Sequence, residues 1–319
     1  MTAGALPRLR AVFFGSPAFA VPCLRAVAAE TEVCAVVSQP DRPAGRGQAP
    51  AAPAVKREAE ALGLPVLQFE KVRTPETHAA LAALRADLFV VVAYGRILPQ
   101  ALLDLPPLGA YNVHASLLPR LRGAAPIQWA IIRGDDETGV SIMRMEAGLD
   151  TGPVGAVRRL AIAADDTTGT LSEKLAALGA ALLGETLPQI AAGGALFVPQ
   201  DDAAATLAPL LTKADGRLDF GRPARLVSAQ ARGVDPWPGA TALLDGEPLR
   251  LYGPRLPTGN GHVGRPGEVL GLVPEGLAIA CADGPIAFAE LQLPGRRRLP
   301  AAAFLAGRPI AAGSRLGGP

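Results

Sequence analysis

An open α/β sheet followed by a smaller β-rich unit is the architecture this 319-residue sequence predicts. Three observations carry that expectation. Apolar runs alternate with helix-spaced stretches through the first two-thirds of the chain, and such alternation builds an open sheet covered by helices. One run, "DLFVVVAYG" at 87–95, is apolar almost throughout, as suits a parallel strand buried on both faces. Beyond about residue 210 the apolar segments shorten and are punctuated by Gly and Pro, which suggests a small β-barrel or sandwich.

Each element has its own local reason. "RAVFFG" (10–15) predicts the first strand, and "PAFAVPCLRAVAAE" (17–30) has helical spacing. "VCAVVS" (33–38) predicts a second strand. "APAVKREAEALG" (52–63) is helical in its apolar spacing and stops at a glycine. "TPETHAALAALRA" (74–86) opens with a Thr cap and Pro at the first helical position. "GAYNVH" (109–114) is a further strand. The stretch "IAAGGALFVPQDDAAATLAP" is small, polar and turn-rich, so domains are expected at 1–193 and 212–319 with a linker at 194–211. In the second part "ATALLDG", "PLRLYG", "GEVLGLV", "GLAIACADG" and "PIAFAELQ" predict short strands, and the terminal "GRPIAAGSRLGGP" predicts a frayed tail.

Composition excludes several function classes. Hydrophobic residues make up 49% of the chain, enough for a sizeable core. No apolar run approaches the roughly 18 residues of a spanning helix. Ala11–Phe14 is too short for a signal-peptide core of roughly 7–15 residues, so a cytoplasmic location is expected. The cysteines, Cys23, Cys34 and Cys281, are odd in number and widely spaced, which supports neither a disulfide framework nor a zinc site. Net charge is +2, with a mildly basic C-terminal part that fits weak attraction to phosphate. GxSxG and the P-loop pattern are absent and the turn after the first strand, "FFGSPAF", has a single Gly, so acyl-serine, nicotinamide and P-loop chemistry are not expected.

The polar residues that stand out lie at the end of the strand 109–114. Ligands of open parallel sheets bind beyond the carboxyl ends of strands. Residues two apart on a strand share a face, so Ala110, Asn112 and His114 point one way. An amide and an imidazole there suit addition to a carbonyl, where negative charge develops on oxygen. The same two side chains could instead satisfy backbone groups locally. "MRMEAGLDTGPV" (143–154) adds Asp150 in a glycine-flanked loop, either as a carboxylate partner or as an Asp stabilising its own turn. "QPDRPAGRGQAPAAP" (39–53) is a long basic loop bearing Arg42 and Arg46, placed to grip a phosphate backbone or simply to be solvated.

Together, "NVHASLLPRLRGAAPIQWAIIRGDDETGVSIMRMEAGLDTGPV" (112–154), "VVAYGRILP" (91–99), "SQPDRPAGRG" (38–47) and "DPWPGA" (235–240) resemble the methionyl-tRNA formyltransferases over nearly the whole chain. The resemblance implies a Rossmann-like formyltransferase domain joined to a C-terminal OB-like β-barrel domain. It implies transfer of a formyl group from 10-formyltetrahydrofolate to the α-amine of methionyl initiator tRNA; no metal is expected, because no His/Cys/Asp cluster has metal spacing, and a monomer is expected. It assigns catalysis to Asn112, His114 and Asp150, folate contacts to Ser116, Leu117, Leu118 and Pro119, and tRNA contacts to Arg42 and Arg46. Two departures accompany it: Ala115 follows the histidine where Gly is common, and "QAP" follows Gly47 where a lysine pair is frequent. The alternatives are a formyltransferase acting on a small amine and a non-catalytic RNA-binding protein.

Overall fold

In the computed structural model, which describes residues 8–44, 49–257 and 264–317, the alternation becomes strands and helices in chain order. They are β1 (Arg10–Gly15), α1 (Val21–Glu30), β2 (Glu32–Ser38), β3 (Arg42–Ala44), β4 (Ala49–Ala51), α2 (Ala54–Ala61) and β5 (Val66–Gln68). Next come α3 (Pro75–Ala83), β6 (Leu88–Val92), α4 (Gln100–Leu103), β7 (Ala110–His114), α5 (Pro126–Arg133), β8 (Glu137–Arg144), β9 (Val154–Ala161) and α6 (Thr168–Ala191). The chain ends with α7 (Ala224–Gly233), β10 (Thr241–Leu244), β11 (Glu247–Arg255), β12 (Val269–Val273), β13 (Gly276–Ala280), β14 (Pro285–Gln292), β15 (Leu299–Pro300) and α8 (Ala301–Gly307).

The chain folds as two units. One comprises Met1–Ala124, Thr138–Leu160 and Ser172–Ala208; the other comprises Ala125–Glu137, Ala161–Leu171 and Pro209–Pro319. In the first unit the sheet order is β5-β2-β1-β6-β7-β8-β9. The pairings from β5 through β7 are parallel, and β8 is antiparallel to β7, with His114 opposite Ser141. Every residue of β6 is buried, which is why "LFVVV" reads as an unbroken apolar run. Phe14 packs against Phe89 and Tyr94 with ring centroids 5.2 and 5.5 Å away. The expected cap of α3 is present: Thr74 Oγ1 accepts a hydrogen bond from the Thr77 N–H at 3.3 Å.

The second unit holds an antiparallel sheet in the order β10-β11-β14-β13-β12, with β15 on β14. Its inner side chains, among them Leu249, Leu277, Ile286 and Phe288, form one core with Val227 of α7 and Ile132 of α5. The sheet curls because one segment touches both of its edges. Leu243 of β10 exchanges two backbone hydrogen bonds with Gly317, while Val269 of β12 exchanges two with Gly313 and Ser314. The expectation of a frayed tail is therefore corrected through residue 317. "AAGSRLG" advertises little side-chain burial, yet its backbone groups close the barrel and Leu316 is buried.

Among the described residues no helix is long and apolar enough to cross a membrane.

Candidate active site

Strand β7 lies between β6 and β8, so its backbone is paired on both sides and its carboxyl end is rigidly placed. Asn112 is half-buried there and His114 is 5% exposed. His114 Nε2 lies 3.0 Å from the carbonyl oxygen of Leu121. That contact assigns the ring hydrogen to Nε2 in the neutral imidazole and leaves Nδ1 on the opposite edge.

Asp150 occupies that opposite edge. Its Oδ2 is 3.6 Å from His114 Nδ1 and accepts the N–H of Gly123 at 2.8 Å. Its Oδ1 accepts from Asn112 Nδ2 at 3.4 Å. The structure thus brings the three predicted catalytic side chains together, although Asp150 is 38 residues from Asn112. The 3.6 Å gap exceeds a hydrogen bond and leaves Nδ1 able to serve a third group. Two glycines make the approach possible. A Cβ on Gly152 would lie 1.8 Å from the carbonyl oxygen of Arg144, and one on Gly123 would lie 2.7 Å from that of Ala208. Gly123, at φ +120°, also holds a backbone conformation that side chains disfavour.

The segment Ser116–Pro119 forms the turn that leaves β7. Ser116 is fully buried and its hydroxyl donates to the carbonyl oxygen of Arg120 at 2.6 Å. The Ser141 hydroxyl donates to the carbonyl oxygen of Ser116 and accepts the Leu118 N–H, which pins the turn to β8. The peptide bond from Leu118 to Pro119 is cis. Leu117, Leu118 and Pro119 are half-exposed and present the apolar edge of the turn. Arg42 is exposed on the two-stranded ribbon of β3 and β4. Its neighbour Asp41 is held by Lys56 at 2.8 Å and by Gln68. The Lys56 ammonium and the Gln68 amide keep the Asp41 carboxyl below its ordinary value. Arg46 lies outside the described residues.

Sequence reasoning missed the groups that fasten this cluster: Leu121 and Gly123 through their backbones, and Arg122 and Gln200 through their side chains. Gln200 Nε2 donates to the carbonyl oxygens of Asp150 and Gly152. Gln200 lies in a stretch with no periodic signal, so nothing in the sequence marks it. A cavity of about 430 Å³ opens beside Gly109, Ala110, Arg144, Met145 and Glu146. None of the residues that line it belongs to the polar cluster, and it opens at the amino end of β7, away from His114. Among the described residues, no group of three or more His, Cys, Asp or Glu is placed to hold a metal ion. The arrangement offers an amide donor, an imidazole and a carboxylate around one point, without a nucleophile of its own. It can support an attack by an external nucleophile on a small carbonyl carbon.

Residues 9–187 match the family model described as Formyl transferase, and residues 210–309 match the one described as Formyl transferase, C-terminal domain. The chain is 49% identical to the methionyl-tRNA formyltransferase of Citrifermentans bemidjiense over 97% of its length and 96% of the relative's. It is 51% identical to the methionyl-tRNA formyltransferase of Paracoccus denitrificans, over 94% of this chain and 97% of that one. The fold is similar to HypX from Aquifex aeolicus, solved in complex with tetrahydrofolic acid, with a TM-score of 0.62 and 19% identity; the match covers 93% of this chain and 47% of that one. With two formyltransferase models matched in order and about half of all positions shared end to end with such relatives, the chain belongs to the methionyl-tRNA formyltransferase family.

Proposed function

We propose that this protein transfers the formyl group of 10-formyltetrahydrofolate to the α-amine of methionyl initiator tRNA, and that Asn112, His114 and Asp150 carry the chemistry. The observation behind the assignment is the convergence of those three side chains, with His114 and Asp150 3.6 Å apart, at the end of a buried strand. The neutral amine attacks the formyl carbon, a C–N bond forms, and the carbonyl oxygen becomes an oxyanion. Asn112 uses the amide hydrogen not directed at Asp150 to stabilise that oxyanion, with His114 beside it; one such donor is worth about 3–4 kcal/mol. The amine gives up one proton toward Asp150. The N10 nitrogen takes one proton as its bond to carbon breaks, so the reaction consumes no net proton. Asp150 also sets the orientation of the His114 ring, whose Nδ1 lies 3.6 Å from its Oδ2. No covalent intermediate on the enzyme is needed, in keeping with the lack of a nucleophile motif.

The folate lies against Leu117, Leu118 and Pro119, with Ser116 fixing their turn. Residues 1–193 serve as the folate and catalytic domain, 194–211 as a linker, and 212–319 as a tRNA-binding domain. Arg42 and Arg46 meet the tRNA backbone. The enzyme works as a monomer in the cytoplasm and needs no metal.

The deciding experiment uses the purified protein, labelled 10-formyltetrahydrofolate and charged methionyl initiator tRNA. Label should appear on the tRNA-bound methionine. Label transferred instead to a sugar amine or another small amine, or released as formate without an acceptor, would overturn the substrate assignment.

A further inference from the structure

The loop that carries Asp150 is closed at its base by the Arg144 N–H on the Pro153 carbonyl and inside by the Thr151 hydroxyl on Glu146, but the carbonyls beside the acid are held from outside it. Asp150 sits at φ +54°, in the left-handed region where a residue with a Cβ is less stable than glycine. One side chain, from far along the chain, fixes the Asp150–Thr151 and Gly152–Pro153 peptides. Gln200 Nε2 donates to the carbonyl oxygen of Asp150 at 2.8 Å and to that of Gly152 at 2.7 Å. The other end of the same amide is also held. Gln200 Oε1 accepts from Arg122 Nε at 3.1 Å and from Arg122 Nη2 at 2.8 Å. Arg122 is 7% exposed, and its Nη2 also donates to Asp202 Oδ1 at 2.7 Å.

The backbone beside Gln200 is tied to the backbone that touches the catalytic groups. The Thr206 hydroxyl accepts the Leu121 N–H at 2.9 Å, and the carbonyl oxygen of Thr206 accepts the Arg122 N–H at 2.8 Å. Leu121 supplies the carbonyl that meets His114 Nε2, and Gly123 supplies the N–H that meets the Asp150 carboxylate. A single network of hydrogen bonds therefore sets the imidazole and the carboxylate against each other.

We propose that Gln200, aimed by Arg122, is a positioning residue for Asp150. It touches no reacting atom and acts by fixing the height and rotation of the carboxylate against His114. The proposal rests on Asp150 having the acid–base role given above. An amide suits the task because one end must donate to two carbonyl oxygens while the other accepts from a guanidinium.

Gln200→Glu separates these two duties. The carboxylate keeps the shape and the Arg122 partner, but it presents an oxygen where two carbonyl oxygens need a donor. Turnover by Gln200→Glu should fall about tenfold or more, because small misplacements of a catalytic group are expensive in rate. KM for the folate and for the tRNA should each stay within about twofold, the pattern of a lost transition-state interaction. In an Asp150→Asn background the same change should cost nothing further, since the group being positioned is already disabled. Arg122→Lys keeps the charge facing Asp202 but cannot hold the amide oxygen with two N–H groups. It should show a smaller loss in turnover with the same unchanged KM, and it decides the matter if Gln200→Glu does not fold. Turnover within about twofold of the parent, a loss carried entirely by KM, or an equal loss in both backgrounds would each overturn the positioning role. Undiminished turnover by Asp150→Asn alone would instead remove the role given to Asp150, so the two failures are read from different variants.

Discussion

The end of β7 and the ribbon of β3 and β4 are both assigned to substrate handling, yet they are built in opposite ways. At β7, His114 and Asp150 are nearly buried, and each is held by a backbone group from the same short turn, Leu121 and Gly123. On the ribbon, Arg42 is exposed, and its immediate neighbour Asp41 is held by Lys56 and Gln68. The contrast follows from the tasks. Acid–base work on one carbon requires groups fixed to within a fraction of an ångström. Attraction to a polyanion acts over a Debye length, about 8–10 Å in ordinary salt, and tolerates movement of the cation. A buried polar cluster must also have its partners satisfied, whereas an exposed arginine has water.

The largest expected effect tests the buried side of this contrast. Asp150→Asn, His114→Ala and Asn112→Ala should each lower kcat by about 10²–10⁴-fold while the circular dichroism of the folded protein is retained. A loss below about tenfold in any of them, measured at saturating substrates, would mean that the residue is structural rather than catalytic. A smaller effect is expected on the ribbon. Arg42→Ala should raise KM for the tRNA several-fold, leave KM for the folate unchanged, and reduce the slope of log affinity against log salt by about one. Equal changes for both substrates would erase the distinction drawn between the two regions. The smallest effect concerns the ribbon's own anchor. Asp41 titrates below an ordinary carboxyl because Lys56 and Gln68 hydrogen-bond its charged form. A depressed carboxyl value means that this contact is present above the unfolded value and is lost as pH falls through the folded one. Carboxyl NMR of Asp41 should show a low midpoint, which Lys56→Ala should raise; an unchanged midpoint would mean that Lys56 does not hold the ribbon.

How legible all this was depends on the kind of residue. β1, β2, β6 and β7 were readable because buried parallel strands need continuous aliphatic runs, and "LFVVV" has no other comfortable use. The five strands β10 to β14 were readable because Gly and Pro punctuate them. β9 went unread because it alternates half-buried and exposed positions with Arg158 and Arg159 in its middle, a weak signal for a strand. α6 went unread because "LAALGAALLG" is small and apolar on every side, so no polar face marks its period. Asn112 and His114 were visible as a pair because alternation along one strand puts them on one face. Their meeting with Asp150 depended on two loops folding toward each other. Gln200 and Arg122 were invisible, since an amide in a turn-rich stretch and one arginine among 31 basic residues carry no spacing signal.

By itself, then, the chain's order of residues determined the two kinds of sheet, the strand that bears the amide and imidazole, and the family to which these motifs point. Those features depend on side-chain periodicity and apolar content, which are local properties of a polymer in water. Tertiary structure alone decided that Asp150 faces His114, that Gln200 and Arg122 clamp the acid's loop, and that residues 313–317 close the small barrel. The bonds that fasten these contacts run largely through backbone carbonyls and N–H groups, from Leu121, Gly123, Asp150 and Gly152 to Gly313, Ser314 and Gly317. Every residue except proline carries the same two groups, so their pairing leaves almost no trace in the order of side chains.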